Sequence, residues 1–162
     1  MVMARATNPM NLVELIEHPF GKGVLTTTGA QYGAETTGAA SVTYTPLPDV
    51  ATVYRPANAQ IVEVEFGLTA AVKCGSTDAT LWKFQASDNN TDWADLIAAQ
   101  TLAAASTYGD VTCAGRFAAS TNFALTANPF YVRGAIASAG STNTAAGKMK
   151  NSSYVITKCK MW

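Results

Sequence analysis

The sequence predicts an all-β fold: an antiparallel β-sandwich, jelly-roll-like, with an extended N-terminal arm and at most one short helix. Apolar and polar residues alternate with a period of two through most of the chain after Val42, as in strands that bury one face. Short polar segments rich in Gly, Asn, Asp and Ser separate these runs and indicate turns. No long amphipathic helical pattern interrupts them. About eight strands in this arrangement are typical of two packed antiparallel sheets.

The length of the chain indicates one folded domain preceded by an arm. A chain of 162 residues can bury roughly two-thirds of its unfolded surface in a single core. We therefore predict an N-terminal arm with a short helix over residues 1–40 and a β-sandwich domain over residues 41–162.

The arm has two predicted parts. In "NPMNLVELIEH", Asn8 is a suitable N-cap and Pro9 a suitable first helical residue, and Pro19 follows the end, so we predict a short helix. The segment from Gly21 to Ser41 is rich in Gly, Thr and Ala and is predicted to be extended. Because it carries few large apolar side chains to bury on its own domain, we expect it to reach a neighbouring subunit.

Two segments give the clearest strands. "QIVEVEFGLTAAVK" is predicted as the central strand, with a buried face formed by Val62, Val64, Phe66, Leu68, Ala70 and Val72. "ATLWKFQAS" repeats the pattern, with inward side chains predicted at Trp82, Phe84 and Ala86. A "PLPD" turn is predicted between the strands "SVTYT" and "ATVYR", and "NFALTA" is predicted as a further strand.

Charge and composition argue against several partners. Eleven basic and eleven acidic residues give a net charge of zero, so no overall field favours nucleic acid or an anionic membrane. Only 14% of the residues are charged, against roughly 25% in a typical domain, which suits a protein packed against copies of itself.

From Ser141 onward the chain holds Lys148, Lys150, Lys158 and Lys160 and no acid. This basic end could pair between subunits, bind an acidic partner or protect an edge strand.

The sequence predicts neither a targeting segment nor a framework of disulfides. Glu14 and Glu17 interrupt the apolar part of the N-terminus, so we predict no secretory signal, and no apolar run approaches the ~18 residues of a membrane span. Cys74, Cys113 and Cys159 lie far apart and form no CxxC pair, so we expect reduced thiols, with one bridge and a leftover thiol as the alternative.

The segment "SDNNTDW" offers the one ligand-like pattern. Asp88, Asn90 and Asp92 match the first three ligand positions of a calcium loop, but Trp93 replaces the glycine and Ala99 the closing glutamate. Asp and Asn also cap their own turns, so a hairpin loop is the favoured interpretation and no cofactor is expected. We expect Trp93 to fold back onto the core beside Trp82, although an exposed Trp93 could instead stack on a sugar.

Catalytic patterns are missing from the sequence. The single histidine, His18, lies at the end of the predicted short helix, and no GxSxG, HExxH, P-loop or GxGxxG motif is present. Glu63 and Glu65 are predicted to share the outward face of one strand, where such pairs are usually solvated or matched by cations. We therefore expect no enzymatic activity.

The residues from Ile61 to Gly140 resemble small β-sandwich virion proteins of tailed bacteriophages and related prokaryotic viruses. The resemblance lies in a "W-x-x-Q-x-S" strand, an Asp/Asn turn, a following "W-x-x-L" and a late "YVRG" strand. Asn89 or Asn90 stands where such turns usually have glycine, and asparagine also accepts positive φ.

The resemblance implies a structural role on the outside of a capsid. Such proteins decorate or cement the shell, often as trimers, so the implied partners are copies of this chain and a major capsid protein. For the subunit contacts we select residues of the arm and of the C-terminal strand, namely Phe20, Val24, Leu25, Lys158, Lys160 and Trp162. Two alternatives remain: a self-assembling extracellular filament subunit that donates its arm, and a carbohydrate-binding module that uses Trp93.

Overall fold

The chain forms two packed antiparallel sheets. The structure, a computed structural model, describes residues 13–19, 36–37, 42–118, 125 and 127–161. The strands of these ranges are β1 (Val13–Pro19), β2 (Thr36–Thr37), β3 (Thr45–Val53), β4 (Ala59–Lys73), β5 (Thr80–Ser87), β6 (Ala94–Asp95), β7 (Gln100–Leu102), β8 (Gly109–Ala118), β9 (Phe130–Ser138), β10 (Ala146–Met149) and β11 (Tyr154–Met161). No helix in these ranges is long and apolar enough to cross a membrane.

The first sheet is built around β4, the longest strand. One side of β4 pairs with β8, and the other pairs with β11 along its first half and with β10 along its second half. Strand β1 then adds to β11, and β2 adds to β10, which completes six strands in the described ranges. Strand β8 therefore forms one edge of this sheet.

The second sheet has the order β3-β9-β5, with β6 and β7 both pairing with the far side of β5. The two sheets enclose one core, whose largest fully buried side chains include Phe66, Phe84, Phe130, Leu47, Leu68 and Met149. These observations confirm the predicted antiparallel β-sandwich.

Glycine at position 134 allows the two sheets to approach. A Cβ added to Gly134 would lie 2.8 Å from Cδ1 of Leu47 and 3.1 Å from Sδ of Met149. Because Leu47 and Met149 belong to β3 and β10, this part of β9 is pressed against side chains from both sheets. A larger residue there would force the layers apart.

A bulge in β4 changes which residues face the core. Lys158 pairs with Glu63 but Cys159 pairs with Ile61, so one extra residue of β4 lies between the two pairs. That residue is Val62, which is 37% exposed. The predicted face is therefore wrong at Val62 and correct from Val64 onward, because a bulge reverses the alternation.

A second irregularity lies in β3. Pro46 pairs with Ala135 and Val50 pairs with Arg133, so the residues between Pro46 and Val50 bulge out of the ladder. The predicted "PLPD" turn is wrong, because this segment continues within one strand and inserts Leu47 into the core.

The N-terminal part differs from the predicted arm. Val13–Pro19, where a short helix was expected, is strand β1 and pairs with β11 of the same chain. The alternation of "VELIEH" fits a strand as well as a helix, and the free edge of β11 decides the outcome. Strand β11 is consequently an interior strand, so protection of an edge by its lysines is also a wrong prediction. The boundary at residue 40 lies outside the described residues and stays a prediction.

Two further segments lie between β6 and β9 in the chain. The alanine-rich segment "IAAQTLAAAS", whose composition does not distinguish helix from strand, contains the strand Gln100–Leu102. The predicted "NFALTA" strand lies largely outside the described residues, where Leu125 is buried and is not part of a strand.

We predict that the bulge separates the effects of two neighbouring valine substitutions. Val64→Ala removes buried methyl groups and should lower the free energy of unfolding by about 2 kcal/mol or more. Val62→Ala acts on the exposed side of the bulge and should cost less than about 1 kcal/mol. Urea denaturation of both variants checks this, and equal losses would contradict the bulge.

Candidate functional site

The loop between β5 and β6 is organised by one asparagine. Oδ1 of Asn89 accepts hydrogen bonds from the backbone N–H groups of Thr91 and Asp92, each at 2.8 Å. The Nδ2 group of Asn89 donates to Oδ2 of Asp92 at 2.8 Å. Asn90 takes a φ of 60°, which asparagine tolerates better than most residues. Together these contacts form the predicted hairpin loop.

The calcium hypothesis gains no support from this geometry. Asp88, Asn90 and Asp92 are all exposed in the loop, and the carboxylate of Asp92 accepts a hydrogen bond from Asn89. Among the residues that the structure describes, no three His, Cys, Asp or Glu side chains form a group that could hold a metal ion. The amide of Asn89 supplies the hydrogen bonds that fix this turn.

Beside the loop lies a polar network on the outer face of the second sheet, formed by Lys83, Gln85, Asp95 and Arg133. Nε of Arg133 donates to Oε1 of Gln85 at 3.1 Å, and Nε2 of Gln85 donates to Oδ1 of Asp95 at 2.9 Å. Lys83 completes the network with an ion pair to Asp95 at 3.1 Å. The side chain of Gln85 lies on this outer face but is only 6% exposed, because these groups cover it.

Trp93 belongs to this outer network. The guanidinium carbon of Arg133 lies 3.8 Å from the centroid of the Trp93 ring, and burial lowers the pKa of Arg133. The expectation that Trp93 folds onto the core beside Trp82 is therefore wrong, although Leu96 does pack against the core. A half-buried ring stacked on an arginine presents less surface to a sugar than a free platform does.

Tyr44 extends the same network towards β3. The Nζ of Lys83 lies 4.3 Å from the centroid of the Tyr44 ring. Burial, and then the negative charge of Asp95, raise the pKa of Tyr44. The network therefore links β5, β6, β9 and the residue that precedes β3 on one surface. The aromatic and acidic residues that looked most like a ligand site thus have a structural role.

The outer face of the first sheet carries a second set of ion pairs. Arg116 on β8 contacts Glu65 at 2.8 Å and Glu63 at 3.4 Å. The hydrogen bond to Glu65 and the charges of both glutamates raise the pKa of Arg116. The hydroxyl of Tyr154 donates to Glu65 at 3.4 Å. Glu63 and Glu65 are thus matched by a cation across the ladder, as expected for a surface row.

At the other end of this face, lysines surround one tyrosine. The Nζ atoms of Lys73 and Lys148 lie 4.5 and 4.4 Å from the centroid of the Tyr108 ring. Lys150 pairs with Asp110 on β8. Two of the four C-terminal lysines therefore have partners within the domain.

The predicted contact residues divide between described and undescribed parts. Phe20, Val24, Leu25 and Trp162 lie outside the described residues. Lys158 and Lys160 belong to β11, where Lys158 lies opposite Glu63 in the register and Lys160 is exposed. His18 pairs with Val155 through β1. The two lysines remain candidates for contact through the sheet face, since both edges of β11 are paired.

Strand β8 offers another chain an edge of the first sheet. Within the described residues it pairs only with β4, so its other edge is open along ten residues. A cleft of about 300 Å³ lies beside its middle and is lined by Trp82, Ile97, Gln100, Thr112, Cys113 and Ala114. Sequence reasoning missed this site, because alternation identifies a strand but does not tell an edge strand from an interior one.

All three cysteines are free and buried, as expected for reduced thiols. Cys113 lines the cleft and is 9% exposed, and burial raises the pKa of its thiol. Because burial disfavours the thiolate, Cys113 is a poor nucleophile at neutral pH.

We predict that Asn89→Ala destabilises the domain by about 1–2 kcal/mol, because two backbone N–H groups lose their acceptor. Asn90→Gly is the matched control and should change stability by less than about 0.5 kcal/mol, since glycine accepts the same positive φ. Thermal or urea unfolding measures both. An Asn89→Ala variant as stable as the wild type would show that the loop does not depend on this side chain.

We also predict that Cys113 makes the domain lose stability as the pH rises above about 8.5, the usual thiol range. The folded pKa is raised, so the unfolded chain releases the proton first and is favoured at higher pH. Cys113→Ala removes this contribution, and its stability should fall less steeply in urea denaturation between neutral pH and pH ~9.5. Parallel curves for the two proteins would contradict the assignment.

Two solved structures resemble this chain remotely. No protein-family model matches the chain, and no curated protein matches it. A chain in the structure of infectious bursal disease virus, Gx strain, matches with 8% identity and a TM-score of 0.42 over 91% of this chain, which spans 37% of that chain. The CBM22-1 xylan-binding domain of Xyn10C from Paenibacillus barcinonensis matches with 16% identity and a TM-score of 0.38, over 93% of this chain and 97% of that domain. Likenesses this remote carry no inference about function.

Proposed function

We propose that this protein is a non-enzymatic structural subunit of a virion, a decoration or cement protein on the capsid surface. It works by burying surface against copies of itself and against a major capsid protein. Burial of this kind stabilises an assembly by mass action, because the bound form is the only one that gains the contact. The virion assignment rests on the sequence resemblance over Ile61 to Gly140.

The open edge of β8 is the observation that carries the assembly role. Along this ten-residue edge strand, alternate residues present backbone N–H and C=O groups that another strand can pair with. Proteins usually protect such an edge with lysine or proline, yet β8 contains neither and has only Asp110 and Arg116 as charged residues. A strand of this composition suits an edge that another chain covers.

The pairing of surface charges within the domain supports the same proposal. Arg116, Lys83 and Lys150 each contact an acid of the same chain. These pairs lower the desolvation cost when a neighbouring chain covers the surface, compared with isolated charges. A weakly charged, internally paired surface is suited to repeated packing.

Two alternatives have less support. Carbohydrate binding through Trp93 needs an accessible ring face, and Arg133 covers one side of that ring. A filament that donates its N-terminal segment must release β1 from its own β11, where it already pairs along seven residues. Each alternative therefore begins with the loss of an existing contact.

Light scattering coupled to size-exclusion chromatography tests the assembly role. We expect the full chain to form defined oligomers over a hundredfold concentration range, and the double variant Thr112→Lys/Ala114→Lys to remain monomeric because it adds charge to the β8 edge. The matched control Val50→Lys/Thr52→Lys places the same charges on the outer face of β3, the edge strand of the other sheet, and should assemble normally.

Two results would overturn this proposal. A wild-type chain that stays monomeric at every concentration would remove the assembly role, and quenching of its tryptophan fluorescence by oligosaccharides would favour the carbohydrate alternative. Peptide mass spectrometry of purified particles tests the virion assignment separately. We expect the chain there in stoichiometric amounts with the major capsid protein, and its absence would contradict a virion location.

A further inference from the structure

Strand β8 has a self-complementary order of charges and side-chain sizes. We propose that two copies of this chain pair through β8, antiparallel and about a two-fold axis at Cys113, so that their first sheets join into one continuous sheet. This inference rests on the proposed function and names its contact: the partner at the β8 edge is a second copy, in a defined register.

Three requirements select the register. A two-fold antiparallel pair relates each residue to one at the same distance on the other side of its centre. Directly opposite residues lie on the same face of a sheet, so an exposed residue of one copy must lie opposite an exposed residue of the other. The axis must therefore pass between the two copies of one residue, and not between two consecutive residues. An axis at Cys113 is the one that places Asp110 opposite Arg116, because each lies three positions away from it.

The burial pattern agrees with this register. Asp110, Thr112, Ala114 and Arg116 are exposed and form the outer face of β8, whereas Val111 and Cys113 are buried towards the core. The pairing places Thr112 opposite Ala114 and Val111 opposite Gly115, twice each. These contacts bring small side chains to the centre of the interface, where they allow close approach of the two strands.

The charges continue across the axis in alternating sign. Within one copy Glu65 contacts Arg116, and Asp110 contacts Lys150. The proposed pairing places Arg116 of one copy beside Asp110 of the second, so the row reads Glu65, Arg116, then Asp110 and Lys150 of the second copy. Each interface contains this row twice. Opposite charges directly across an antiparallel pair favour it, and like charges oppose it.

The cleft beside β8 lies at the proposed axis. Thr112, Cys113 and Ala114 line it, together with Trp82 from the other sheet and Ile97 from the loop between β6 and β7. In the dimer the central residues of the second β8 lie at the mouth of this cleft, which extends the contact beyond the backbone pairing. A strand pair supported by apolar side chains is more stable than an isolated two-stranded contact.

Charge-reversal variants test the register. In Asp110→Lys the homodimer would oppose lysine to arginine twice, and in Arg116→Glu it would oppose glutamate to aspartate twice. We expect each variant alone to dimerise about tenfold more weakly than the wild type. Mixed together, they should form a heterodimer, because both cross-strand pairs then become attractive. Native mass spectrometry distinguishes the two chains, and sedimentation equilibrium gives the dissociation constants.

Folding of the variants is checked separately, since each also alters a contact to Lys150 or to Glu63 and Glu65 of its own chain. Circular dichroism and thermal unfolding of each variant provide that control. The wild-type chain supplies a readout without these changes: sedimentation equilibrium should show a discrete equilibrium between monomer and dimer.

The outcomes separate this inference from the proposed function. Heterodimers in the mixture, with weakened homodimers of each variant, support the register. Oligomers that ignore both charge reversals but are lost in Thr112→Lys/Ala114→Lys overturn the register and leave the assembly role of β8 in place. A wild-type chain that remains monomeric overturns both.

Discussion

The pairing of β4 is the constraint on which the rest of this structure depends. This strand contacts β8 on one side and both β10 and β11 on the other, so its register sets the positions of three neighbours. Because of the bulge at Val62, Ala59 and Ile61 face the core before the bulge and Val64 faces the same core after it. Buried and more exposed residues alternate without a break along β11, where the buried Val155 lies opposite the buried Phe66 of β4. One extra residue therefore reconciles two strands whose apolar patterns would otherwise be out of phase.

Polar contacts then fix the surface of this scaffold. On one outer face Gln85 is held between Arg133 and Asp95, and on the other Arg116 joins two glutamates of β4. Such contacts individually contribute little at an exposed site, but they connect neighbouring strands and leave few isolated charges. The aromatic and acidic residues that resemble a ligand site are engaged with one another. Asn89 organises the loop in the same way, by binding its own backbone.

Within the part of the chain that the structure describes, β8 leaves one strand edge open to another chain. Alternate residues of β8 direct their backbone N–H and C=O groups away from β4, and a cleft lined by both sheets lies beside them. Edge pairing costs no rearrangement of the core, because the strand is already formed and its inward residues are already buried. Less ordering entropy opposes association through such a preformed edge than through a segment that must first become ordered.

The sequence by itself determined the β-sandwich, the central strand and most inward-facing residues, because a period of two in apolar side chains leaves little choice of face. It also indicated the hairpin loop after β5 and the absence of recognisable catalytic motifs. Only the tertiary structure decided the bulge at Val62, the strand at Val13–Pro19, the place of Trp93 under Arg133 and the identity of β8 as an edge. Each of these depends on which distant segment lies alongside, and a local pattern does not contain that information. The same holds for the candidate site at β8. The alternation of its residues predicts a strand but does not show that this strand lies at the edge of a sheet.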